Sequence, residues 1–423
     1  MVLAMRNWAG NLTYGAARLL EPESLDAVQE LVRGSTSLRV LGSRHSFSGL
    51  ADTTGDHLSI GRLPRVVEID AADGTVTVDG AVRYGDLAPA LHAAGFALHN
   101  LASLPHISVA GACATGTHGS GDRSGNLSTA VRAMDVVRAD GELETFSRDA
   151  DPATFPGSVV SLGSLGVVVR LTLDIEPAYE VRQWVYEDLA FDAFRDHLDE
   201  VTSAGDSVSG FTHWRGRGIE QVWVKRRVPA TGADPAPQAS LFGAKRATVD
   251  RHPIRGLSPD AATPQLGDAG PWHERLPHFR LDHTPSSGEE LQTEYFVGRA
   301  DAVAAFDAID RLRDRIAPLL LVGEIRTIAA DDLWLSPAFE RPSVAYHFTW
   351  KPDWPAVRAV LPDIEVALEP FAPRPHWAKL FTMAPELVRS RYERLPDFIG
   401  LARSLDPHGK LRNAFVRRYL GGA

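Results

Sequence analysis

Leu38-Arg39-Val40-Leu41-Gly42-Ser43-Arg44-His45-Ser46-Phe47 is the stretch on which the reading of this chain turns. Residues 38–41 form an apolar, branched run that reads as a buried strand, and Gly42 ends it abruptly. Glycine lets the backbone take positive φ or approach a ligand closely. Ser43, Ser46 and backbone N–H groups suit anionic oxygens. His45, in the middle of this turn, is placed to meet a phosphate-bearing cofactor. The same residues also describe a strand followed by a polar turn with a surface histidine, and the segment alone leaves both readings open.

The flanks of this stretch alternate between helix and strand. Ser24, followed by Ala27, Val28, Leu31 and Val32, reads as a capped amphipathic helix. Short β runs follow at 57–60, 66–69 and 75–78, with Asp73-Gly74 as a hairpin signal between the last two. A helix is predicted over 84–94, ended by Gly95. Residues 133–137 and 142–146 read as strands around Asp140-Gly141, and 159–173 as a β-rich stretch punctuated by small residues.

Residues 101–125, LASLPHISVAGACATGTHGSGDRSG, stand apart. They are small, almost uncharged and aperiodic over a length that is unusual for a loop without function. Such a run lets backbone N–H groups reach a pyrophosphate without obstruction, although a glycine-rich surface loop has the same composition. Beyond residue 177 the character shifts. Residues 229–288 read as a Pro-, Ala-, Gly- and Asp-rich surface loop with partial order, and 302–316 as one amphipathic helix. Residues 319–322 read as a buried strand running into Gly323-Glu324-Ile325-Arg326-Thr327. Alternation places Glu324 and Arg326 on one face, where a strand ion pair is the plain explanation. His347 and Thr349 share a face of the strand 346–350. Pro375-His376-Trp377-Ala378-Lys379 presents three functional side chains together, or else a lysine snorkelling at the surface.

The bulk numbers set bounds. The 423 residues suggest two or three domains. A net charge of −10 and pI near 5.8 disfavour a nucleic-acid partner. Cys113 is the single cysteine, which excludes an intrachain disulfide and fits a cytoplasmic protein. The N-terminal MVLAMRNWAG lacks a signal-peptide pattern, and no apolar run of about 18 residues predicts a membrane span. Neither G-x-G-x-x-G between strand and helix, nor a Walker motif, nor H-E-x-x-H, nor G-x-S-x-G is present. His118, His347 and His376 are available for a metal, but no spacing demands one, and none is expected.

The order strand–GSRHS–Phe, ASLPHISVAG (102–111), ATGTHGSG (114–121), SLGSLGVV (161–168), EIRT (324–327), HFTW (347–350), PHWAK (375–379) and DPHGK–Asn (406–413) resembles the vanillyl-alcohol-oxidase-type flavoproteins. Within these it is similar to the alditol oxidases over nearly the whole chain. The HWAK element is shared with the sugar-lactone oxidases. The resemblance implies an α+β, two-domain fold. An FAD-binding domain would span 1–178, an antiparallel-sheet cap for substrate 179–390, and a segment returning to the FAD domain 391–423. It implies FAD held covalently by His45 through the flavin 8α-methyl group. FAD contacts would come from Val40, Leu41, Gly42, Ser43, Arg44, His45, Ser46, Ser103, Ser108, Gly111, Thr115, Gly116, Thr117, His118 and Val169. Ser103, Glu324, Arg326, His347, Thr349 and Lys379 would meet substrate, with Glu324, Arg326 and Lys379 catalytic. The implied reaction is oxidation of a linear polyol (xylitol, sorbitol or glycerol) at its terminal carbon, with O₂ reduced to H₂O₂, by a cytoplasmic monomer. A sugar-1,4-lactone oxidase or dehydrogenase, and a non-catalytic flavin- or sugar-binding protein, are the alternatives. Two positions depart from the relatives: Arg44, where a small residue is usual, and Leu411, where an aromatic is typical.

Overall fold

The computed structural model describes residues 5–283 and 289–421. Residues 1–4, the last five of the 229–288 stretch, and 422–423 lie outside the described residues.

The N-terminal part builds three small sheets among the described residues, one of them the antiparallel pair Phe96–Ala97 and Glu176–Pro177. Asp56–Leu58 lies between Arg18–Leu20 and Leu38–Val40, all parallel. An antiparallel five-stranded sheet follows the order Val67–Asp70, Thr75–Asp79, Val167–Asp174, Val131–Val137, Leu143–Ser147. Gly74 and Gly141 take positive φ at the two predicted hairpin turns. Ser24 caps the helix Leu25–Gly34 by accepting from Ala27 N at 3.2 Å, and the helix buries Val28 and Val32.

The 159–173 stretch is less strand than its composition suggests. Phe155–Val159 is a helical turn, and Leu162, Gly163 and Gly166 have φ of 54°, 65° and 155°. Those left-handed positions break the pleat, and the strand begins only at Val167. Likewise the 302–316 helix divides into Ala302–Asp310 and Arg313–Ile316. The ladder tightens at Leu312 N, which donates to Ile309 O, before restarting.

The second part is a ten-stranded sheet. Its middle runs Glu180–Ala190, Gly218–Arg227, Ser207–Thr212, Leu320–Ile328, Ser343–Trp350, Leu291–Gly298, each antiparallel to the next. Helices Ala302–Asp310 and Trp354–Leu368 contribute Phe306, Ile309, Leu361 and Ile364 to the large core. Residues 229–239 are an exposed loop, but from Ser240 to His283 the stretch is built into the fold rather than lying on its surface. Ser240–Leu241, Ala244–Arg246 and Gly270–Pro271 join the sheet, and Thr263, Gln265, Trp272 and His278 are buried. Gln183 Nε2 donates to both Thr263 O and Thr263 Oγ1 at 3.1 Å, so the segment is stapled by side chains where periodicity is absent.

The chain then returns. Leu411 is fully buried among Val28, Val32, Leu38 and Leu58. Lys410 Nζ donates to the carbonyls of Val32 (2.6 Å) and Ala139 (2.7 Å), and Asn413 Nδ2 to those of Gly49 and Leu50 (both 2.9 Å).

Candidate active site

A cavity of about 520 Å³ lies where the small sheets face the large one. One end is walled by residues 39–47, 80–83, 102–118 and 161–168; the other holds Glu324, Arg326, His347, Thr349 and Lys379. Of the residues expected to meet FAD, all line it except Gly116 and Val169. Gly116 packs toward Pro337. Strand alternation turns Val169 into the Val28–Leu58 cluster and its neighbour Val168 into the cavity.

The His45 turn is clamped from three directions. From the N-terminus, Trp8 N donates to Arg44 O (2.8 Å), Asn7 Nδ2 to Ser46 O (2.9 Å) and Asn11 Nδ2 to Phe47 O (3.1 Å). From the second part, Ala378 O accepts from Phe47 N (2.7 Å), and Trp377 O accepts from Ser48 Oγ (2.9 Å). From beneath, Arg39 donates to the carbonyls of Leu50, Leu162, Gly163 and Leu411 at 2.7–3.0 Å. Burial pulls that guanidinium down to about 10, so it stays charged. Arg44 adopts φ 64°, a left-handed conformation, and is exposed while lining the cavity. The indole of Trp8 stacks on the His45 ring, with centroids 5.4 Å apart. Both ring nitrogens of His45 lack partners, and burial pushes the imidazole down to about 4; it is a neutral, unengaged ring facing the cavity.

The flavin cofactor fits this end. Ser43 Oγ accepts from Ser108 N at 3.1 Å, fastening the histidine turn to the small-residue run. Ser108 Oγ is itself buried without a partner. A Cβ at Gly42 or Gly111 would come within 2.9 or 2.8 Å of that oxygen, so a side chain at either position would displace the Ser108 hydroxyl. A polar, orphaned, glycine-lined cradle is what an anionic dinucleotide requires.

The other end is a row of charges laid across three strands. Register pairs Glu324 with His347, and His347 with Glu294. Arg326 donates to Glu294 Oε1 at 2.6 Å and lies 3.6 Å from Glu324, so its tight partner is on another strand, not Glu324. Lys379 Nζ meets Glu294 Oε2 and His347 Nδ1, both at 2.7 Å; it is no surface lysine. Trp377 points away, donating to Leu335 O. His347 Nε2 lies 3.0 Å from Thr349 Oγ1, and Arg326 Nη1 donates to Ser103 Oγ at 3.3 Å. Glu324 Oε1 meets His278 Nε2 at 2.8 Å.

Burial opposes ionisation of both carboxyls, but Arg326 beside Glu324, and Lys379 with Arg326 beside Glu294, outweigh it and hold both well below the usual range. Burial pushes His347 and His278 down to about 4, and neighbouring cations act in the same direction. Burial also lowers Lys379, with Glu294 opposing. His118, Glu294 and His376 bring ligand atoms within 4.8 Å of one another, a spacing open to a metal. Both Glu294 oxygens, however, already accept from Arg326 and Lys379. Glu294 is the hub of an ion-pair network, and burial keeps His118 and His376 beside it toward the neutral form.

Glu294, His278, Lys225 and Trp8 are absent from the sequence-based site. Glu294 carried a weak signal: an acid leading directly into the apolar run Tyr295-Phe296-Val297. His278 carried none, because it lies in the aperiodic segment.

A model of the FAD binding domain matches residues 16–147, and one of D-arabinono-1,4-lactone oxidase matches residues 290–419. An alditol oxidase from Streptomyces sp. (strain IKD472 / FERM P-14339) is 47% identical over 425 residues, covering 100% of both chains. An L-gulono-1,4-lactone dehydrogenase from Mycobacterium tuberculosis is 26% identical, covering 98% of both. Among solved structures, cholesterol oxidase from B. sterolicum superposes with a TM-score of 0.77 at 15% identity, over 98% of this chain and 96% of that one. Among the described residues no helix is long and apolar enough to cross a membrane. The full-length match to the Streptomyces enzyme, on a fold that joins a glycine-walled cofactor cradle to a buried acid–base row, shows that the chain belongs to the alditol oxidase family of FAD-dependent oxidoreductases.

Proposed function

We propose that this enzyme oxidises linear polyols such as xylitol, sorbitol and glycerol at the terminal carbinol to the aldose, with one O₂ reduced to H₂O₂ per turnover. The observation that carries the reading is the direct hydrogen bonding of the His45 turn to the Lys379 segment, 332 residues away, across one cavity. It sets a cofactor anchor and a charged alcohol site face to face.

When bound, the flavin supplies the two-electron acceptor for the carbinol hydride and is held covalently through His45. The protein's residues place the alcohol and manage its proton. Glu324, ionised and buried, accepts the hydrogen bond of the reacting hydroxyl and polarises it. Arg326 and Lys379, also buried, favour negative charge developing on the substrate oxygen. Ser103 and Thr349 offer hydroxyls to the rest of the polyol, and neutral His347, oriented by Lys379, joins them. The backbone of 40–46, with Ser108, Gly111, Thr115, Thr117 and His118, forms the cofactor side. In this reading residues 1–178 and 391–423 make the cofactor unit and 179–390 the substrate cap, in a cytoplasmic monomer.

The lactone-oxidase reading is favoured by one finding, the match of residues 290–419 to the D-arabinono-1,4-lactone oxidase model. The two readings separate in a substrate panel. H₂O₂ production with xylitol and sorbitol but not with L-gulono-1,4-lactone supports polyol oxidation, and the reverse pattern assigns a lactone oxidase. Dye reduction without H₂O₂ assigns a dehydrogenase. A flavin that no substrate bleaches leaves only a binding protein. The tether is read separately, by flavin fluorescence of the denatured band in a gel. It stays with wild-type protein and is lost in His45→Ala.

A further inference from the structure

Lys225, on the strand Gly218–Arg227, is fully buried, and none of its hydrogen bonds goes to a carboxylate. Its Nζ meets three acceptors: Leu276 O at 2.5 Å, Pro277 O at 3.1 Å and His278 Nδ1 at 3.0 Å. Three acceptors with no donor fit an ammonium, whose three N–H groups they use up. His278 is fixed in turn. Its backbone N–H donates to Ser103 O (3.1 Å), and its ring lies edge-on to Phe211 and Trp223. Its Nε2 reaches Glu324 Oε1 at 2.8 Å, with Ser209 Oγ more distant at 3.4 Å.

An imidazole whose Nδ1 accepts a hydrogen bond carries its proton on Nε2. We propose that Lys225 is a positioning residue that locks His278 in the Nε2–H tautomer, so that His278 donates to Glu324 Oε1 and leaves Oε2, beside Arg326, to receive the substrate hydroxyl. The inference rests on Glu324 being the group that meets the polyol. Glu324 is faced by Arg326 on its own strand, His347 on the next, and His278 with Lys225 from the other side; Lys379 and Glu294 complete the surround. Burial draws the Lys225 ammonium down to about 7, with Glu324 opposing. The lock is therefore firmest on the acid side of neutrality. Without Lys225 the ring can protonate Nδ1 instead. The bare Nε2 then confronts the Glu324 carboxylate, a repulsion relieved when a proton is taken up between them. The aperiodic 229–288 segment thus supplies the part of the site that sets the state of its acid.

The test is ¹⁵N–¹H correlation of ring-labelled histidines in the intact holoenzyme at about pH 6.5, with the His278 signals assigned by their loss in His278→Gln. Wild type is expected to show His278 as a neutral ring with Nε2 protonated. Lys225→Met is expected to move the proton to Nδ1 or to show a tautomer mixture. An Nδ1-protonated or cationic His278 in wild type overturns the proposal, as does an unchanged tautomer in the folded variant. The spectrum decides the point whether or not xylitol reduces the flavin, so failure of the polyol reading is seen separately. Where xylitol does reduce it, anaerobic reduction in Lys225→Met should slow about tenfold more between pH 8 and 6 than in wild type. Parallel pH profiles reduce Lys225 to a packing residue.

Discussion

Glu294→Gln is the most demanding test of the charge row. The substitution keeps the volume of a fully buried side chain and removes one negative charge. In the wild-type protein Arg326 and Lys379 donate to separate oxygens of Glu294 at 2.6 and 2.7 Å. Glutamine offers one acceptor, so one of those cations loses its partner and meets an amide N–H instead. Breaking a buried ion pair from one side costs about 3–5 kcal/mol, because the other charge is left desolvated. A cooperatively unfolding chain of 423 residues carries roughly 0.9 kcal/mol/K of unfolding entropy, so the midpoint should fall by about 3–6 °C. The assay is calorimetry of the holoenzyme, together with anaerobic flavin reduction by xylitol. That rate should fall as well, because Lys379 loses one of its two fixed acceptors and His347 loses its orientation. The double variant Glu294→Gln/Arg326→Met should lose less than the sum of the single losses, by about 2 kcal/mol. A midpoint shift under about 1 °C, or strict additivity, would refute the claim that Glu294 holds the row together.

Three further outcomes follow from the geometry. Arg39→Met should leave four loop carbonyls without their donor, lowering stability by at least about 3 kcal/mol and lowering the fraction of chains carrying gel-fluorescent flavin. Trp8→Ala removes the ring stacked on His45, a contact of about 1 kcal/mol, and should lower the fraction of chains carrying gel-fluorescent flavin without abolishing it. Acid should destabilise the fold between about pH 6.5 and pH 4: His278 and His347 each have a folded value near 4 against 6.5, so the unfolded chain binds more protons there. Stability is full above 6.5 and is lost as pH falls through the window, by up to about 3 kcal/mol per imidazole. A melting temperature flat from pH 7 to about 4.5 would contradict this.

The sequence made some of this architecture visible and hid the rest for definite reasons. The strand before Gly42, the two Asp-Gly hairpins and the Ser24-capped helix follow from local chemistry, and the structure has each of them. Glu324, Arg326, His347 and Thr349 could be placed on shared faces because strand alternation fixes direction. Alternation does not tell which acid an arginine meets across a sheet. The tight Arg326–Glu294 pair depends on the neighbouring strand order, which is a tertiary fact. The 229–288 segment was legible only as composition. Its burial comes from side-chain staples such as Gln183 to Thr263, which no periodicity announces. Small residues at 161–166 suggested strand, whereas three left-handed positions make a loop against the cavity. Arg44 stands exposed in its left-handed turn. Leu411 fills a closed aliphatic cluster.

The central claim is that a polyol delivers its hydride to the cofactor beside Glu324. Anaerobic mixing of the holoenzyme with xylitol, followed at the flavin absorbance, tests it most directly. The account predicts complete bleaching in wild type and slowing by at least about a hundredfold in Glu324→Gln, with protein still yellow and folded. On admitting air, colour should return with one H₂O₂ per xylitol consumed. Bleaching by L-gulono-1,4-lactone but not by xylitol, or equal rates in wild type and Glu324→Gln, would contradict it.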